Sequence, residues 1–310
     1  MEKKAPLVTI RCITYNHAPY IRQCLDGFLM QQTTFPFIVI IHDDASTDGT
    51  EEILREYAAK YPDIIIPLYE KENQYSKYGH LMTVRKQMDP LIKGKYIALC
   101  EGDDYWTDPL KLQKQVDFLE SHPEHSMCFH QVLRHHQDTD EPDEPYDTKL
   151  EERDYTGVEL YTHCRPSEVS VVMRHDVIQS DVYSRFVEEE LSFGDIPVFL
   201  SCAHCGKVHA MTDTMAVYRM HKGGVSNIFR KPNEKVLKYA HDNLMLYKIF
   251  GKEYKKEATR IYVMDYLNFF FQSKKAGELR LGVLAKVLFT HPIYTIQFLY
   301  DRYKYSRYHI

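Results

Sequence analysis

Short apolar stretches alternate with amphipathic ones through the first half of this 310-residue chain. The apolar stretches have the lengths of strands and occupy residues 7–13, 37–41, 64–68 and 96–100. Between them, apolar residues recur at helical spacing over residues 20–30, 81–92 and 110–119. Strands that are apolar on both faces must be covered on both faces. The alternation therefore predicts an α/β fold, with a mostly parallel sheet flanked by helices.

Two of the predicted strands end in adjacent carboxylates. Asp43 and Asp44 end the second strand, and Asp103 and Asp104 follow Glu101 at the end of the fourth. Adjacent carboxylates repel one another, and when partly buried they are relieved by a cation or by a shared proton. The carboxyl ends of parallel strands share one edge of a sheet, where open α/β folds bind ligands. For Asp103 and Asp104, the alternative is a solvated turn that precedes a helix. If these two acids instead belong to a site, both acidic strand ends face one ligand.

The charge balance argues against one class of partner. Asp and Glu number 44 against 39 Lys and Arg, which leaves a formal net charge of -5 and an isoelectric point near 6.3. Proteins that bind nucleic acid usually carry a strongly basic footprint, so we expect no nucleic-acid partner. A phosphate-bearing ligand would have to be held locally, by a metal ion or by a few placed cations. The length allows one large domain, or a domain with an appendage.

The cysteines and the apolar runs both indicate the cytoplasm. Seven scattered cysteines, most of them in apolar stretches, are typical of a reducing compartment. Cys202 and Cys205 have the spacing of metal ligands, but no second pair accompanies them, which favours buried helix residues over a zinc site. The first residues lack the apolar core of a signal peptide. No run reaches the ~18 apolar residues of a spanning helix.

The second half of the chain is less regular. Residues 137–153 are acidic and almost free of aliphatic side chains, which predicts an exposed loop, with disorder as an option. Beyond this loop we expect a strand at residues 168–173, a helix at 176–190, a helix from 193 toward 205, and a hairpin at 207–218. The remainder, from about residue 234, is predicted to be helical.

Four motifs in a fixed order give the sequence a family resemblance. They are V-T-I-R-C-I-T-Y-N-H from Val8, I-H-D-D-A-S-T-D-G-T from Ile41, Y-I-A-L-C-E-G-D-D-Y-W from Tyr96 and F-G-D-I-P-V-F from Phe193. The chain resembles the family-two glycosyltransferases of the GT-A fold, especially bacterial enzymes that build capsule, lipopolysaccharide and other cell-surface glycans. The match is strong over residues 5–130, moderate to about 226 and weak beyond.

The resemblance implies an inverting transfer of a sugar from a nucleoside diphosphate to an acceptor hydroxyl, with a UDP-sugar as the expected donor. It implies a GT-A catalytic domain over residues 1–226 and a helical extension over 227–310. Within the catalytic domain, residues 5–130 form the donor-binding half and residues 155–226 the acceptor half. A departing diphosphate gains charge that a divalent cation neutralises well, and Mn²⁺ and Mg²⁺ prefer oxygen ligands such as carboxylates.

The resemblance also assigns residues to the donor and its cation. Asp104 matches the metal-binding acid, and Asp103 matches the neighbour that contacts the ribose or assists the metal. Asp44 matches the carboxylate that accepts a hydrogen bond from the base. The other implied donor-site residues are Thr14, Tyr15 and Asn16 around the nucleotide and Arg85 on the diphosphate. A core position for Tyr15 and a surface ion pair for Arg85 are the alternatives, and the residues flanking Arg85 depart from the family's pattern.

Inversion needs a base that deprotonates the acceptor hydroxyl. Asp195 falls where the family places that aspartate, although Gly194-Asp195-x-Pro197 would also begin a helix by simple capping. The acids at 188–190 are either alternative bases or a solvated face. His221, on a Gly-rich segment, matches a histidine that reaches the metal or the diphosphate. A surface histidine is the other interpretation.

The sequence leaves the membrane partner and the reaction class open. The carboxy-terminal segment mixes aromatic and basic residues, which fits helices lying in a membrane interface and equally helices packed on the catalytic core. A lipid-linked sugar acceptor would favour peripheral attachment to the membrane. The rival functions are nucleotidyl transfer onto a sugar phosphate and non-catalytic binding of nucleotide sugars or glycans. Nucleotidyltransferases commonly carry a Gly-rich phosphate loop where this chain has T-Y-N-H-A-P-Y.

Overall fold

The computed structural model describes residues 4–164, 166–224 and 235–307. Contacts divide the chain into two compact units, residues 1–221 and 222–310. The predicted domain boundary, between residues 226 and 227, lies in the stretch 225–234 and so outside the described residues.

The described part of the first unit contains one sheet of ten strands. The strands are β1 (Val8–Thr14), β2 (Phe37–Asp43), β3 (Ile65–Tyr69), β4 (Tyr96–Glu101), β5 (Tyr105–Trp106), β6 (His125–His136), β7 (Glu144–Pro145), β8 (Asp154–Tyr155), β9 (Val172–Arg174) and β10 (Lys207–Met220). The helices are α1 (Ile21–Leu29), α2 (Thr50–Lys60), α3 (Gln74–Tyr78), α4 (Met82–Met88), α5 (Lys111–Ser121), α6 (Gly157–Thr162), α7 (Asp181–Glu188) and α8 (Asp195–Cys205).

The strand order is β3-β2-β1-β4-β9-β6-β10-β5, with β7 paired to β6 and β8 paired to β10. Strands β1 to β4 run parallel to one another. Strand β9 is antiparallel to both β4 and β6, so β6 runs in the direction of β4, and β10 runs parallel to β6. The predicted α/β fold with a mostly parallel sheet is confirmed. The carboxyl ends of β1, β2, β4, β6 and β10 consequently share one edge of the sheet.

The core lies on both faces of the central strands, as their continuous apolar sequence requires. Val8, Ile10 and Ala98 are completely buried. On one face, α1 packs against Trp106 of β5, and a β-carbon on Gly27 would come within 3.0 Å of the Trp106 backbone nitrogen. The glycine therefore allows the helix to lie directly on the strand. All seven cysteines are free thiols. Cys202 is buried in α8, as predicted, but Cys205, at the end of the same helix, is exposed.

The structure corrects two local predictions. Residues 207–218 do not form a hairpin, because they lie within the single strand β10, which pairs along β6. Register shifts near Met211 and Thr214 leave residues 212–214 exposed. The exposed polar residues of this bulge resemble those of a turn, although the chain does not reverse its direction there. The predicted strand at 168–173 is a 3₁₀ turn, Glu168–Ser170, followed by the short strand β9.

The second unit is helical in its described part, as predicted. Its helices are α9 (Lys235–Phe250), α10 (Lys255–Lys275), α11 (Leu281–Thr290) and α12 (Pro292–Arg307), around a small core that includes Tyr262, Leu267 and Val287. Large apolar side chains nevertheless remain exposed on α11, on α12 and just before α11: Leu279, Leu281, Leu288, Phe289, Ile293, Ile296 and Tyr300. Among the described residues, no helix combines the length and the apolar character needed to cross a bilayer.

Candidate functional site

The loops that follow β1 and β2 hold each other in place. Asn16 has a left-handed backbone, with φ of 54°, a conformation that asparagine adopts more readily than most residues. Its N–H donates to Ser46 Oγ at 2.8 Å, and its Oδ1 accepts from the Thr47 N–H at 2.8 Å. Tyr15 projects from the same loop with 42% of its surface exposed. The core alternative for Tyr15 is therefore wrong, and its ring is free to pack against a ligand.

Thr14 ends β1 beside Gly102, in the loop after β4. A β-carbon on Gly102 would come within 2.6 Å of Thr14 Oγ1 and 3.0 Å of His17 Nδ1, so this approach requires glycine. Among the described residues, neither of these buried atoms has a hydrogen-bond partner. Buried polar atoms without partners are uncommon in native proteins. Two of them at one strand end favour a ligand at this place.

Both acids at the end of β2 are buried. Ser46 Oγ donates to Asp43, and burial raises the pKa of this carboxyl. Asp44 accepts backbone N–H bonds from Gln74 at 2.6 Å and from Tyr75 at 3.0 Å, in the first turn of α3. Asp43 therefore orders its own loop, and Asp44 is fixed at the sheet edge. An ionised carboxylate has about four acceptor positions, so these two bonds leave Asp44 able to accept more.

Asp103 is the acid that meets two histidines after β4. His221 Nε2 lies 3.0 Å from Asp103 Oδ2, and His17 Nε2 lies 3.7 Å from the same oxygen. One ligand atom from each of the three side chains lies within 4.8 Å of the other two. Burial raises the pKa of Asp103, but the hydrogen bond from His221 and the charge of His17 outweigh it and lower the pKa. Two imidazoles and a carboxylate are donors suited to a divalent transition-metal ion, Mn²⁺ included.

Asp104 faces strand β10 instead of the histidines. Its carboxyl is buried, and Oδ1 accepts the Arg219 backbone N–H at 2.8 Å. Burial, and after it the charge of Asp103, raise the pKa of Asp104 well above its ordinary value. The structure thus places Asp104 beside the His17–Asp103–His221 group, which we call the histidine–aspartate cluster, and not within it. Its assignment as a metal ligand stays a prediction.

The Arg219 side chain stabilises the loop after β4. The sequence analysis did not identify this arginine as a site residue. Its Nε donates to the Asp103 backbone oxygen at 2.8 Å, and Nη2 donates to Gln23 Oε1 at 2.7 Å. The guanidinium carbon lies 4.8 Å from the ring centre of Tyr20 and 4.9 Å from that of Tyr105. The one signal in the sequence is the position of Arg219 two residues before His221. Its partners lie far away in the chain and are brought together by the sheet.

A buried pair of glutamates lies behind the cluster. Glu101, at the end of β4, hydrogen-bonds Glu168, and burial followed by the charge of Glu168 raises the pKa of Glu101 well above its ordinary value. Burial would also raise the pKa of Glu168, but Arg85 outweighs it and lowers that pKa. Arg85 Nη2 lies 3.2 Å from Glu168 Oε1, and both side chains are largely buried. The two shifts favour the protonated form of Glu101 and the ionised form of Glu168 beside Arg85.

Arg85 also contacts the beginning of α8. A β-carbon on Gly194 would come within 2.6 Å of Arg85 Nη2, so the guanidinium lies against the residue that precedes Asp195. Asp195 is the first residue of α8 and is half-buried. Within the described residues, Arg85 Nε and Nη1 are buried and have no hydrogen-bond partner. The surface ion pair considered for Arg85 is wrong, since its pair with Glu168 is buried. These two nitrogens of the guanidinium can still donate hydrogen bonds to an anion.

The sequence matches the model of one protein family, described as glycosyl transferase family 2, over residues 9–178. This range is more than half of the chain. It includes Asp44, Arg85, Asp103 and Asp104 and ends before Asp195.

Several bacterial proteins have related sequences. An uncharacterized protein of Mycobacterium tuberculosis is 38% identical over 231 residues, which is 70% of this chain and 60% of that protein. The chain therefore spans about 60% of the length of the mycobacterial relatives that it matches. TuaG of Bacillus subtilis, whose provisional name is teichuronic acid biosynthesis glycosyltransferase, is 33% identical over 114 residues, or 37% of this chain and 42% of TuaG.

Solved structures share the fold. TarS residues 1–349 from S. aureus, in complex with UDP-GlcNAc, has a TM-score of 0.57 at 17% identity and covers 87% of this chain and 74% of that one. The mannosyltransferase PcManGT from Pyrobaculum calidifontis, in complex with GDP-Man and Mn²⁺, has a TM-score of 0.55 at 16% identity and covers 95% of this chain and 83% of that one. At such low identities the likeness concerns the fold alone.

Proposed function

Because this chain belongs to glycosyltransferase family 2, we propose that it transfers a sugar from a UDP-sugar to an acceptor hydroxyl, with inversion, in the synthesis of a cell-surface glycan. The observation that carries this proposal is the meeting of Asp103 with His17 and His221 at the carboxyl ends of β1, β4 and β10. These strand ends belong to the edge where α/β folds bind nucleotides.

The histidine–aspartate cluster fits the divalent cation that the proposal requires. Asp103, His17 and His221 offer one oxygen and two nitrogens within 4.8 Å of one another, and His17 Nδ1 and Thr14 Oγ1 are buried without partners among the described residues. When bound, Mn²⁺ or Mg²⁺ would neutralise the charge that develops on the leaving diphosphate. Mn²⁺ accepts imidazole more readily than Mg²⁺ does, so this donor set favours Mn²⁺. Asp104 lies next to the cluster and is the further candidate ligand.

The nucleotide is assigned to the loops after β1 and β2. Tyr15 is exposed and offers an aromatic face to the base, while Thr14 and Asn16 shape the loop beneath it. Asp44 is held with spare acceptor capacity, as a carboxylate that accepts a bond from uracil N3 would need. Arg85 offers two nitrogens, Nε and Nη1, to the diphosphate, and neither has a hydrogen-bond partner among the described residues. These contacts support the choice of a UDP-sugar.

Asp195 is the base in this proposal. It begins α8, and its neighbour Gly194 lies against Arg85, so the acceptor side of the site is connected to the donor side through one guanidinium. Asp195 takes the proton of the acceptor hydroxyl as that oxygen attacks the anomeric carbon, and the bond from this carbon to the diphosphate oxygen breaks on the opposite face. Glu188, which ends α7, is the alternative base.

The acceptor is proposed to be a lipid-linked sugar or glycan at the cytoplasmic face of the membrane. Seven large apolar side chains stay exposed between Leu279 and Tyr300, and Phe289 alone is 89% exposed. Apolar helix surface flanked by basic residues binds membrane interfaces, and Arg280 and Lys286 lie in the same segment. The provisional name of TuaG, which refers to teichuronic acid, agrees with a cell-surface polymer as product.

Calorimetry of UDP binding, with and without Mn²⁺, tests the donor site directly. We expect binding that requires Mn²⁺ in the wild type and that persists in Asp195→Asn, with transfer lost only in the variant. A nucleotidyltransferase would instead take up a nucleoside triphosphate and release pyrophosphate. A non-catalytic binding protein would show no transfer in any form of the chain. Failure of UDP, GDP and dTDP to bind at any metal concentration would refute the proposal.

A further inference from the structure

A second group of metal-ligand side chains lies at the other edge of the sheet. His125 is the first residue of β6, Asp154 is the first residue of β8, and His209 lies near the start of β10. In the sheet, Asp154 is directly opposite His209, and Lys207, two residues earlier on β10, is opposite His125. Three adjacent strands therefore bring the three side chains together.

Both histidines point at one carboxylate oxygen. His125 Nε2 lies 2.9 Å from Asp154 Oδ1, and His209 Nδ1 lies 2.8 Å from the same atom. The three ligand atoms all lie within 4.8 Å of one another. We call these three residues the β8 cluster. Since it lies at the amino ends of β6 and β10, it is on the edge opposite the histidine–aspartate cluster, and it plays no part in the proposed sugar transfer.

The surroundings hold the two imidazoles in place. His125 is almost fully buried, and its ring packs edge-on against that of Phe118, with centres 5.1 Å apart. Its other ring nitrogen, Nδ1, is buried without a hydrogen-bond partner among the described residues, and the Glu124 carboxylate lies 3.5 Å away. The ring of Phe118 stacks on that of His209, with centres 4.4 Å apart and planes inclined by 20°. Two of the three ligands are thus positioned by contacts outside the cluster.

The third ligand is accessible to water. Its carboxylate is 42% exposed, so water can complete a coordination shell. One cation competes for it, since Lys207 Nζ lies 3.7 Å from Asp154 Oδ2. That contact is long and its lysine is exposed, so an ion bound at Oδ1 need not displace it.

We propose that His125, His209 and Asp154 bind one zinc ion, which fastens β8 to β10 and β6. Zinc takes imidazole nitrogen and carboxylate oxygen at about 2.0–2.2 Å, and tetrahedral sites with three protein ligands leave the fourth position to water. Imidazole donors favour zinc over magnesium or calcium. Strand β8 follows the exposed acidic segment at 137–153, so the ion would anchor the end of that segment to the sheet.

Zinc binding is measured in a chain that carries His221→Ala, because the histidine–aspartate cluster also offers two imidazoles to zinc. Titration of this chain with zinc chloride is expected to show one ion per chain. Adding His209→Ala should weaken its affinity at least tenfold. His135→Ala is the matched control. His135 Nδ1 lies 2.7 Å from Asp143 Oδ1, and among the described residues these two side chains belong to no group of three metal ligands.

Thermal unfolding gives the second readout. Zinc should raise the melting temperature of the His221→Ala chain, because a ligand that binds only the folded state stabilises it, and the increase should vanish with His209→Ala. If that variant does not fold, His125→Gln and Asp154→Asn take its place. Equal zinc affinity with and without the cluster residues, or no zinc bound to a folded His221→Ala chain, would show that the β8 cluster is only a hydrogen-bonded network and would overturn the proposal.

Discussion

His221 Nε2 lies 3.0 Å from Asp103 Oδ2, and this contact joins the end of β10 to the loop after β4. The two residues are 118 positions apart in the chain. The contact makes Asp103, rather than its neighbour Asp104, the acid that faces the two histidines. The distinction can be tested because the two aspartates have different partners.

Asp103→Asn should weaken Mn²⁺-dependent UDP binding by at least about tenfold, since it removes the anionic member of a three-ligand set. Asp104→Asn should have a smaller effect on the metal, because the Asp104 carboxyl faces the Arg219 backbone and lies outside the histidine–aspartate cluster. Calorimetry at several Mn²⁺ concentrations measures both. Asp117→Asn, on the exposed face of α5, serves as the control. If Asp104→Asn weakened Mn²⁺-dependent UDP binding more than Asp103→Asn did, Asp104 would be the metal ligand.

Asp195→Asn should lower the turnover number by about 10²–10⁴-fold, the usual contribution of a general base, while UDP binding stays close to wild type. The assay is UDP release from UDP-sugars in the presence of a bacterial lipid extract as the source of acceptor. Glu188→Gln is the matched comparison, because Glu188 ends α7 nearby in the sequence and is the other candidate base. A loss of turnover in Glu188→Gln, with turnover of Asp195→Asn unaffected, would identify Glu188 as the base.

The two buried glutamates should respond differently to the same substitution. Glu168→Gln leaves the buried Arg85 without its counter-charge and should destabilise the protein by about 3 kcal/mol, as breaking a buried ion pair does. Glu101→Gln keeps a hydrogen-bond donor toward Glu168 and should cost much less at neutral pH. Urea unfolding of both variants measures the difference. Similar losses would mean that the proton is not held on Glu101.

The same pair predicts a pH dependence. The pKa of Glu101 is raised in the folded state, so its contribution to stability is fully present below the unfolded pKa of about 4.3 and is lost as the pH rises through the folded pKa. The free energy of unfolding of the wild type, relative to Glu101→Gln, should therefore fall as the pH rises above about 4.3. Parallel curves for the two proteins from pH 4 to pH 8 would contradict this expectation.

Lys111 predicts a second pH dependence, of opposite sign. Its side chain is completely buried, 4.1 Å from the ring centre of Trp106, and burial lowers its pKa to about 7. The unfolded chain, where the pKa is about 10.4, binds the proton more tightly, so the wild type should gain stability relative to Lys111→Met as the pH rises from about 7 toward 10. Urea unfolding at pH 6.5 and 9.5 tests this. Lys114→Met, on the exposed side of α5, should show no such gain.

Membrane attachment should depend on the exposed apolar residues of α11 and α12. Phe289→Ser with Ile293→Ser removes side chains that are 89% and 79% exposed. Each such side chain contributes about 1.5–3 kcal/mol when it is buried, so binding to vesicles should weaken by at least about tenfold. Cosedimentation with vesicles of phosphatidylglycerol and phosphatidylethanolamine measures it. Leu91→Ser, which removes an exposed leucine of the first unit, is the control. Unchanged cosedimentation would leave these helices without a membrane role.

The sequence by itself determined the parallel α/β architecture and the strand ends at which the ligands would lie. Apolar runs at strand length, separated by amphipathic helices, permit few other arrangements, because each strand must be covered on both faces. The acids at the ends of β2 and β4 could be located in the same way, since parallel strands end on a common edge. The order of the four motifs indicated the protein family, and the family model confirmed it.

Only the tertiary structure decided which polar groups meet. Arg219 contacts Asp103, Gln23 and Asp104 across the sheet, and Glu168 reaches Glu101 and Arg85 from a 3₁₀ turn that the sequence had indicated as a strand. Asp103 and Asp104 are adjacent in sequence, yet one faces two histidines and the other faces β10. Local patterns report burial and periodicity. Hydrogen bonds between distant residues depend on strand register and on the path of the loops, which local patterns do not record.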